Sequence, residues 1–371
     1  MATLIVFVDA LPFDEVGAMP RLASWPYRAR LRPGFGYSIN LHAELFAGAT
    51  PDAVGFFGEW AFDPARAPGH RYRRLLPLLD RIFTPYVLNR GLQALLTARY
   101  RPGRIMPNLP LGRLGDFAIH GAKLTDPEFP RATLFTRHPR LLQVSAGPRR
   151  KGERDAAVVT AARRHINAGA NDLYVPLPDL DGTGHRHGTT SGAWRSHLAW
   201  VDAAVDNLAT RFLAGHPAGD AFVISDHGMA DVTGGVTFDP TPALGRQGRH
   251  RYLFFSDSTL LRVWVRDPRL EAPLAEEVAA VPGLTVIPDA ERQAYGLTNP
   301  DFGWIIAVLD EGRCFEPSTF ARHIPVAMHG YHPEVASQHA VLLHRGAHPP
   351  APADRTIEVF SILDASLTRP S

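Results

Sequence analysis

Short, wholly apolar runs recur along the chain, separated by longer stretches whose apolar residues return every third or fourth position. This alternation predicts parallel strands joined by helices. Leu4–Val8 is rich in β-branched residues and stops at Asp9, so it reads as a central strand. The Gly-rich Pro33–Ser38 segment leads into Ile39–Phe46, the opening turns of a helix, and Gly48-Ala49-Thr50-Pro51 then marks a turn. Arg154–Ala168 is amphipathic with helical spacing, and Asp172–Pro176 follows as a strand. The clearest helix is Gly192–Gly215, where Trp200, Val201, Val205, Leu208 and Phe212 form one apolar face and Gly215 supplies the stop. Ala221–Ser225, Leu253–Phe255, Leu261–Val265, Trp304–Val308 and Ala340–Leu343 read as strands, with a short terminal helix at Glu358–Leu363. The sum is a doubly wound α/β sheet.

Two stretches interrupt the pattern. Residues 60–154 are Pro- and Arg-rich, with helical spacing at Leu75–Thr97 and no strand series, and read as a cap inserted over the core. Residues 234–324 are mixed α/β and read as a second insertion that forms part of the substrate site. The expectation is one catalytic domain over residues 1–371 carrying both insertions.

Composition then narrows the classes. At 45% hydrophobic and 20% charged, 371 residues can bury a core, which excludes a disordered chain or a coiled coil. A net charge of +2 gives no electrostatic footprint for a nucleic-acid polymer. Cys314 is the single cysteine, so disulfide scaffolds, iron–sulfur clusters and cysteine-based zinc sites are excluded. No apolar run approaches a membrane span, and the first residues lack a basic region and a cleavage site, so a cytoplasmic protein without a membrane partner is expected. Lys123 and Lys151 are the only lysines among 39 basic residues. Arg71, Arg73, Arg74, Arg101 and Arg104 in the cap suit either a solvated face or an anion site.

There are 17 histidines, and several sit beside Asp and Gly. Five segments share one format, an apolar run followed by Asp, His or Ser in a Gly-containing turn: Val8-Asp9; Gly36-Tyr37-Ser38-Ile39-Asn40; Asp181 through His185 to Gly188; Ser225-Asp226-His227-Gly228-Met229; and Met328-His329-Gly330-Tyr331. In open α/β sheets, side chains far apart in sequence converge at the carboxyl ends of the strands. Carboxylates and imidazoles without thiols are a ligand set for zinc or another borderline divalent ion. Asp181 and His185 are four apart with Gly184 allowing a tight turn, and Gly228 gives Asp226 and His227 the freedom to face one ion.

In this order the segments resemble the alkaline phosphatase superfamily, in its nucleotide pyrophosphatase/phosphodiesterase branch. The likeness covers residues 1–60, 150–235 and 325–371, and Val201-Asp202-Ala-Ala-Val205 also fits the branch. It implies a three-layer α/β/α sandwich with a central, mostly parallel sheet and cap insertions. It also implies two divalent ions, zinc or alternatively manganese. One ion would be held by Asp181, His185 and His329, the other by Asp9, Asp226, His227 and the oxygen of a nucleophile at Ser38. Ser38 lies ten residues before Gly48, where the branch has Thr more often than Ser. The phosphoryl-binding Asn of the family falls on Leu41, with Asn40 one residue early as its replacement, and Val54 stands where a His is usual.

Asp179, His187, His332, His42, Glu44 and Cys314 lie near these motifs and read as packing, surface or supporting residues. The resemblance implies hydrolysis of a small phosphoester through a phosphoseryl intermediate. With Asn40 and His42 but no Arg beside Ser38, the segment suits the single charge of a diester better than the double charge of a monoester. The alternatives are a phosphomonoesterase or phosphomutase of the same superfamily, and an inactive metal-stabilised binding module. A sulfatase is disfavoured, because Ser38 is followed by Ile-Asn-Leu-His rather than the x-Pro-x-Arg of that branch.

Overall fold

The structure is a computed structural model that describes residues 2–67, 69–72, 74–79, 82, 86–97, 106, 108–119, 123–145, 147 and 152–369. Arg73, Arg101 and Arg104, singled out above, lie outside the described residues.

Six strands form the main sheet: β1 (Thr3–Val8), β2 (Tyr27–Leu31), β5 (Leu142–Gln143), β6 (Asp172–Leu177), β7 (Asp220–Ile224) and β12 (Ala340–Gly346). Their order is β2-β12-β7-β1-β6-β5. The β1 pairings with β6 and β7 are parallel, as is β5 with β6, while β12 runs antiparallel to β7 and β2. Five strands therefore point one way, and β12 alone opposes them.

Alternation within β1 builds the layers. Leu4, Val6 and Val8 face a core shared with α3 (Arg154–Asn167) and α5 (Gly192–Gly215), through residues such as Val158, Val201, Val205 and Phe212. Ile5 and Phe7 face the opposite core with Leu45 and Phe46 of α1 (Ser38–Ala47) and Val359 and Leu363 of α6 (Val359–Thr368). The expected three-layer α/β/α sandwich around a mostly parallel sheet is the fold observed.

A second, four-stranded antiparallel sheet is built from β8 (Tyr252–Ser256), β9 (Leu260–Val265), β10 (Leu284–Val286) and β11 (Ile305–Leu309), in the order β8-β9-β11-β10. Leu253, Phe255 and Trp264 of this sheet pack on Trp60, Leu76, Leu109 and Phe117. The last group surrounds a small hairpin-like pairing of β3 (Trp60–Phe62) with β4 (Phe117–Ile119), and α2 (Tyr86–Thr97) lies in the same stretch. Strands β3, β4 and β5 occur where the sequence shows no strand series, because two or three residues are too few to display a period. Among the described residues no helix is long and apolar enough to cross a membrane.

Candidate functional site

Strands β1, β6 and β7 end on the same edge of the sheet, and each delivers a carboxylate there. Asp9 follows β1, and Ala10 behind it has φ of +61°, a conformation rarely adopted by residues with a Cβ. The Ala10 N–H donates to Asp226 Oδ1 at 3.4 Å, so this turn ties two acidic residues from different strands together.

Ser38 is the first residue of α1. The preceding loop is closed by Asn40, whose Oδ1 accepts from the Tyr37 N–H at 3.1 Å and whose Nδ2 donates to Phe35 O at 2.6 Å. This corrects the expectation for Asn40. Its buried amide is committed to the loop backbone, where it caps α1, rather than standing ready as the phosphoryl-binding donor. The cap leaves Ser38 Oγ 3.1 Å from His227 Nε2.

Beyond β7, Ser225 anchors the next turn by donating to Leu11 O at 2.7 Å and accepting from the Val341 N–H at 2.9 Å. Only glycine fits at 228, because a Cβ there would collide with Ser337 O. The tight turn lets His227 Nδ1–H donate to Gly228 O at 2.8 Å, which leaves the Nε2 lone pair facing Ser38, Asp9 and Asp226. Asp9 Oδ1 is 3.7 Å and Asp226 Oδ2 3.3 Å from that nitrogen.

Asp181 and His185 lie on α4 (Asp179–His187), so one helical turn rather than a glycine turn brings them onto one face. His185 Nε2 is 3.1 Å from Asp181 Oδ1, and Nδ1–H donates to Ala327 O at 2.8 Å, the same backbone orientation of an imidazole seen at His227. His329 Nε2 reaches within 3.6 Å of Asp181 Oδ1, and its ring stacks on His227 at 3.7 Å between centroids.

The donors form two overlapping groups, Asp9 with Asp226 and His227, and Asp181 with His227 and His329, with His185 beside Asp181. His227 joins both. Asp9 Oδ1, Asp181 Oδ1, Asp226 Oδ2 and His329 Nδ1 are all buried without a hydrogen-bond partner. Orphaned carboxylate oxygens are costly in a folded interior, and divalent cations are what such a donor set accommodates. The electrostatics agree. Burial, then Asp226 and Asp181, pushes Asp9 well above the usual carboxylate range. Burial also works to raise Asp226, but His227 and His42 outweigh it and bring that carboxyl down to about 2. Burial, then His227 and His185, holds His329 well below its ordinary value.

The flanking residues separate cleanly. Asp179 is a structural anchor, accepting from the N–H groups of Gly152, Arg154 and Asp155 and from Arg154 Nε. His42 lies closer to the chemistry than a packing residue, with Nε2 3.3 Å from Asp226 Oδ2. Buried Glu44 accepts from Thr356 and the Gly34 N–H, His332 pairs with Glu291, His187 is exposed, and Cys314 is buried near the Tyr331 hydroxyl.

Two positioning residues carry no sequence signal. Gln338 accepts from Gly228 N–H through its backbone and from Gly330 N–H at 2.9 Å through Oε1, so it stitches the His227 and His329 turns together. Buried Thr259, in the turn between β8 and β9, donates to Gly330 O at 2.7 Å and lies 3.0 Å from the Tyr37 hydroxyl, while its N–H donates to that hydroxyl at 2.9 Å. The Tyr37 ring in turn sits edge-on to His329. The second sheet thereby clasps both the nucleophile loop and a ligand loop.

No curated protein matches the chain by sequence. Among solved structures it is similar to murine ectonucleotide pyrophosphatase/phosphodiesterase 5, an inactive variant in complex with AMP, at TM-score 0.66 and 16% identity over 99% of this chain and 95% of that one. The human ectonucleotide pyrophosphatase/phosphodiesterase 5 is similar at TM-score 0.66 and 15% identity, with the same coverage. At such identities the likeness establishes the fold. The profile of the type I phosphodiesterase / nucleotide pyrophosphatase family matches residues 140–331, more than half of the chain. The segment runs from β5 through Asp181, His185, Asp226 and His227 to His329, and the chain belongs to this family, as a hydrolase of phosphoester bonds.

Proposed function

We propose that the chain hydrolyses phosphodiesters or nucleotide-type phosphoanhydrides at a two-cation site, with Ser38 as nucleophile and a phosphoseryl intermediate. The observation that carries this reading is the Ser38 hydroxyl 3.1 Å from His227 Nε2, at the edge of a patch of buried, unpartnered carboxylate oxygens. Divalent cations, zinc or manganese by donor type, held by Asp9, Asp226 and His227 and by Asp181, His185 and His329, would supply charge stabilisation for the serine alkoxide and the leaving oxygen.

The chain's own residues do the rest. The closeness of Ser38 Oγ to His227 Nε2 sets the hydroxyl beside the cation that His227 would hold, and the Asn40 cap fixes Ser38 at the start of α1, where the first amide N–H groups of a helix lack intrahelical partners and favour an anion. Attack of Ser38 Oγ forms the O–P bond as the bond to the leaving oxygen breaks. Water then attacks phosphorus, releases the phosphate product and returns Ser38, so two inversions give net retention.

A diester or anhydride is favoured because α1 contributes no arginine to meet a second negative charge. Arg154, whose charge reaches Asp9, is committed to Asp179 at 2.8 Å. Purified Ser38→Ala tests the assignment. It is expected to fold, to retain its metal and to lose turnover of bis-p-nitrophenyl phosphate, and retention of about a tenth of wild-type turnover would contradict the role. Wild-type kcat/KM is expected to be higher for bis-p-nitrophenyl phosphate than for p-nitrophenyl phosphate. The reverse preference by about tenfold would favour the monoesterase reading and leave the serine mechanism standing. No turnover of either ester would favour the inactive binding module.

A further inference from the structure

Helix α2 is inside out. Its polar residues Asn89 and Gln93 are 6% and 0% exposed, and both are fixed inward by hydrogen bonds. Asn89 Nδ2 donates to Leu109 O at 3.0 Å, Gln93 Nε2 donates to Met106 O at 2.6 Å, and Gln93 Oε1 accepts from the Met106 N–H at 2.9 Å. With those two residues facing in, the arc formed by Val87, Leu88, Gly91 and Leu95 faces out, and Val87 and Leu95 are each 75% exposed.

The segment that precedes α2 in the chain is also rich in exposed apolar side chains. Leu78 and Ile82 are 68% and 63% exposed, and seven of the eleven exposed large hydrophobic side chains among the described residues fall between Tyr72 and Leu95. Such clustering marks an interaction surface, because single exposed apolar residues are scattered on ordinary surfaces. Charge identifies the partner. Residues 71–104 hold eight arginines and one acidic residue, Asp80, whereas the whole chain is only +2, so everything outside this segment is net acidic. Arg71, Arg74 and Arg90 are exposed beside the apolar side chains.

We propose that the outward face of α2 docks on an anionic lipid surface, with Val87, Leu88 and Leu95 entering the headgroup boundary and the exposed Arg71, Arg74 and Arg90 meeting lipid phosphates. An apolar arc bordered by cations, on a helix that does not span the bilayer, has the form of an interfacial element. A second copy of the chain fits less well, since a self-complementary contact would set one arginine-rich face against another. The docking departs from the sequence expectation of no membrane partner, and it stands independently of the catalytic reading.

Flotation of the full chain with vesicles tests it. The chain is expected to float with equimolar phosphatidylcholine and phosphatidylglycerol at low salt, to be released as salt rises, and to stay behind with phosphatidylcholine alone. The double variant Val87→Asp with Leu95→Asp is expected to lose vesicle binding by about tenfold or more, with an unchanged circular dichroism spectrum and melting temperature. Arg71→Glu with Arg74→Glu and Arg90→Glu leaves the apolar arc intact and is expected to abolish the preference for anionic vesicles, which keeps the test decisive if the first variant fails to fold. Failure of the wild type to float at low salt, or flotation of both variants like the wild type, would overturn the proposal. A concentration-dependent dimer that Val87→Asp dissolves, without any flotation, would overturn it in favour of a second copy.

Discussion

The two ends of β7 carry the same residue types and do opposite things. At its start, Asp220 is buried among His344, His348 and Arg369, and both carboxylate oxygens are satisfied. Oδ1 accepts from His344 Nε2 and the His348 N–H, both at 2.9 Å, and Oδ2 from His348 Nδ1 at 3.2 Å and Arg369 at 3.1 Å. Just past its end, Asp226 is equally buried beside His227 and His42, yet Oδ2 has no hydrogen-bond partner and lies 3.3 Å from each ring. A satisfied cluster needs nothing further and holds the edge of the sheet together. An unsatisfied one exists because the rest of the fold bears its desolvation cost, and such clusters mark sites.

Exchanging the two carboxylates for amides gives the largest contrast. Asp226→Asn is expected to lower kcat/KM by about a thousandfold with no loss of melting temperature, since it removes a cation ligand and a buried charge together. Asp220→Asn is expected to do the reverse, costing about 2–4 kcal/mol in urea unfolding while kcat/KM stays within about threefold. Equal effects of both substitutions on activity would erase the distinction between the two ends.

A smaller effect is expected at Thr259, which belongs to the second sheet yet holds the turns that carry Tyr37 and Gly330. Thr259→Val should lower kcat by about tenfold with KM and metal content unchanged, and Thr259→Ser should restore it, because the hydroxyl alone makes the bridge. Failure of serine to rescue would assign the loss to packing.

The smallest effects are in the pH dependence of stability, and they have opposite signs. Burial works to raise the Asp220 carboxyl, but its bonds to His344 and His348 outweigh this and hold it below the usual 3.8. Its contribution is therefore full above that value and is lost as pH falls beneath it. Burial pushes Glu44 from 4.5 up to about 7, with Thr356 and Gly34 only partly offsetting it. The folded state then binds the extra proton, so this contribution is present below 4.5 and fades as pH rises through about 7. Urea midpoints of wild type and Glu44→Gln at about pH 5 and about pH 8 check the second sign, the variant being flat where the wild type declines.

Much of this was legible in the sequence where a period or a motif is local. The β1 run and the α5 periodicity lead directly to the central strand and the longest helix, and the order of Asp9, Ser38, Asp181, His185, Asp226, His227 and His329 anticipates residues that the fold collects on one edge. Legibility ended where tertiary contact decides. Gly182 and Gly184 suggest a turn, yet the segment is helical, and a Cβ at Gly184 would come within 3.0 Å of Trp194 and 3.1 Å of Met229. Strand β2 went unread because its half-exposed edge carries Arg28 and Arg30 between apolar residues. Asn40, Thr259 and Gln338 act through single hydrogen bonds, Thr259 on a residue 222 positions away, and no local pattern announces such a bond.

The most direct test of the account is elemental analysis of chelator-treated chain reconstituted with zinc or manganese, read beside turnover of bis-p-nitrophenyl phosphate. The account predicts about two ions per chain, turnover that returns with them, and selective loss of one ion in His329→Ala. Full turnover by chain free of stoichiometric metal would contradict it.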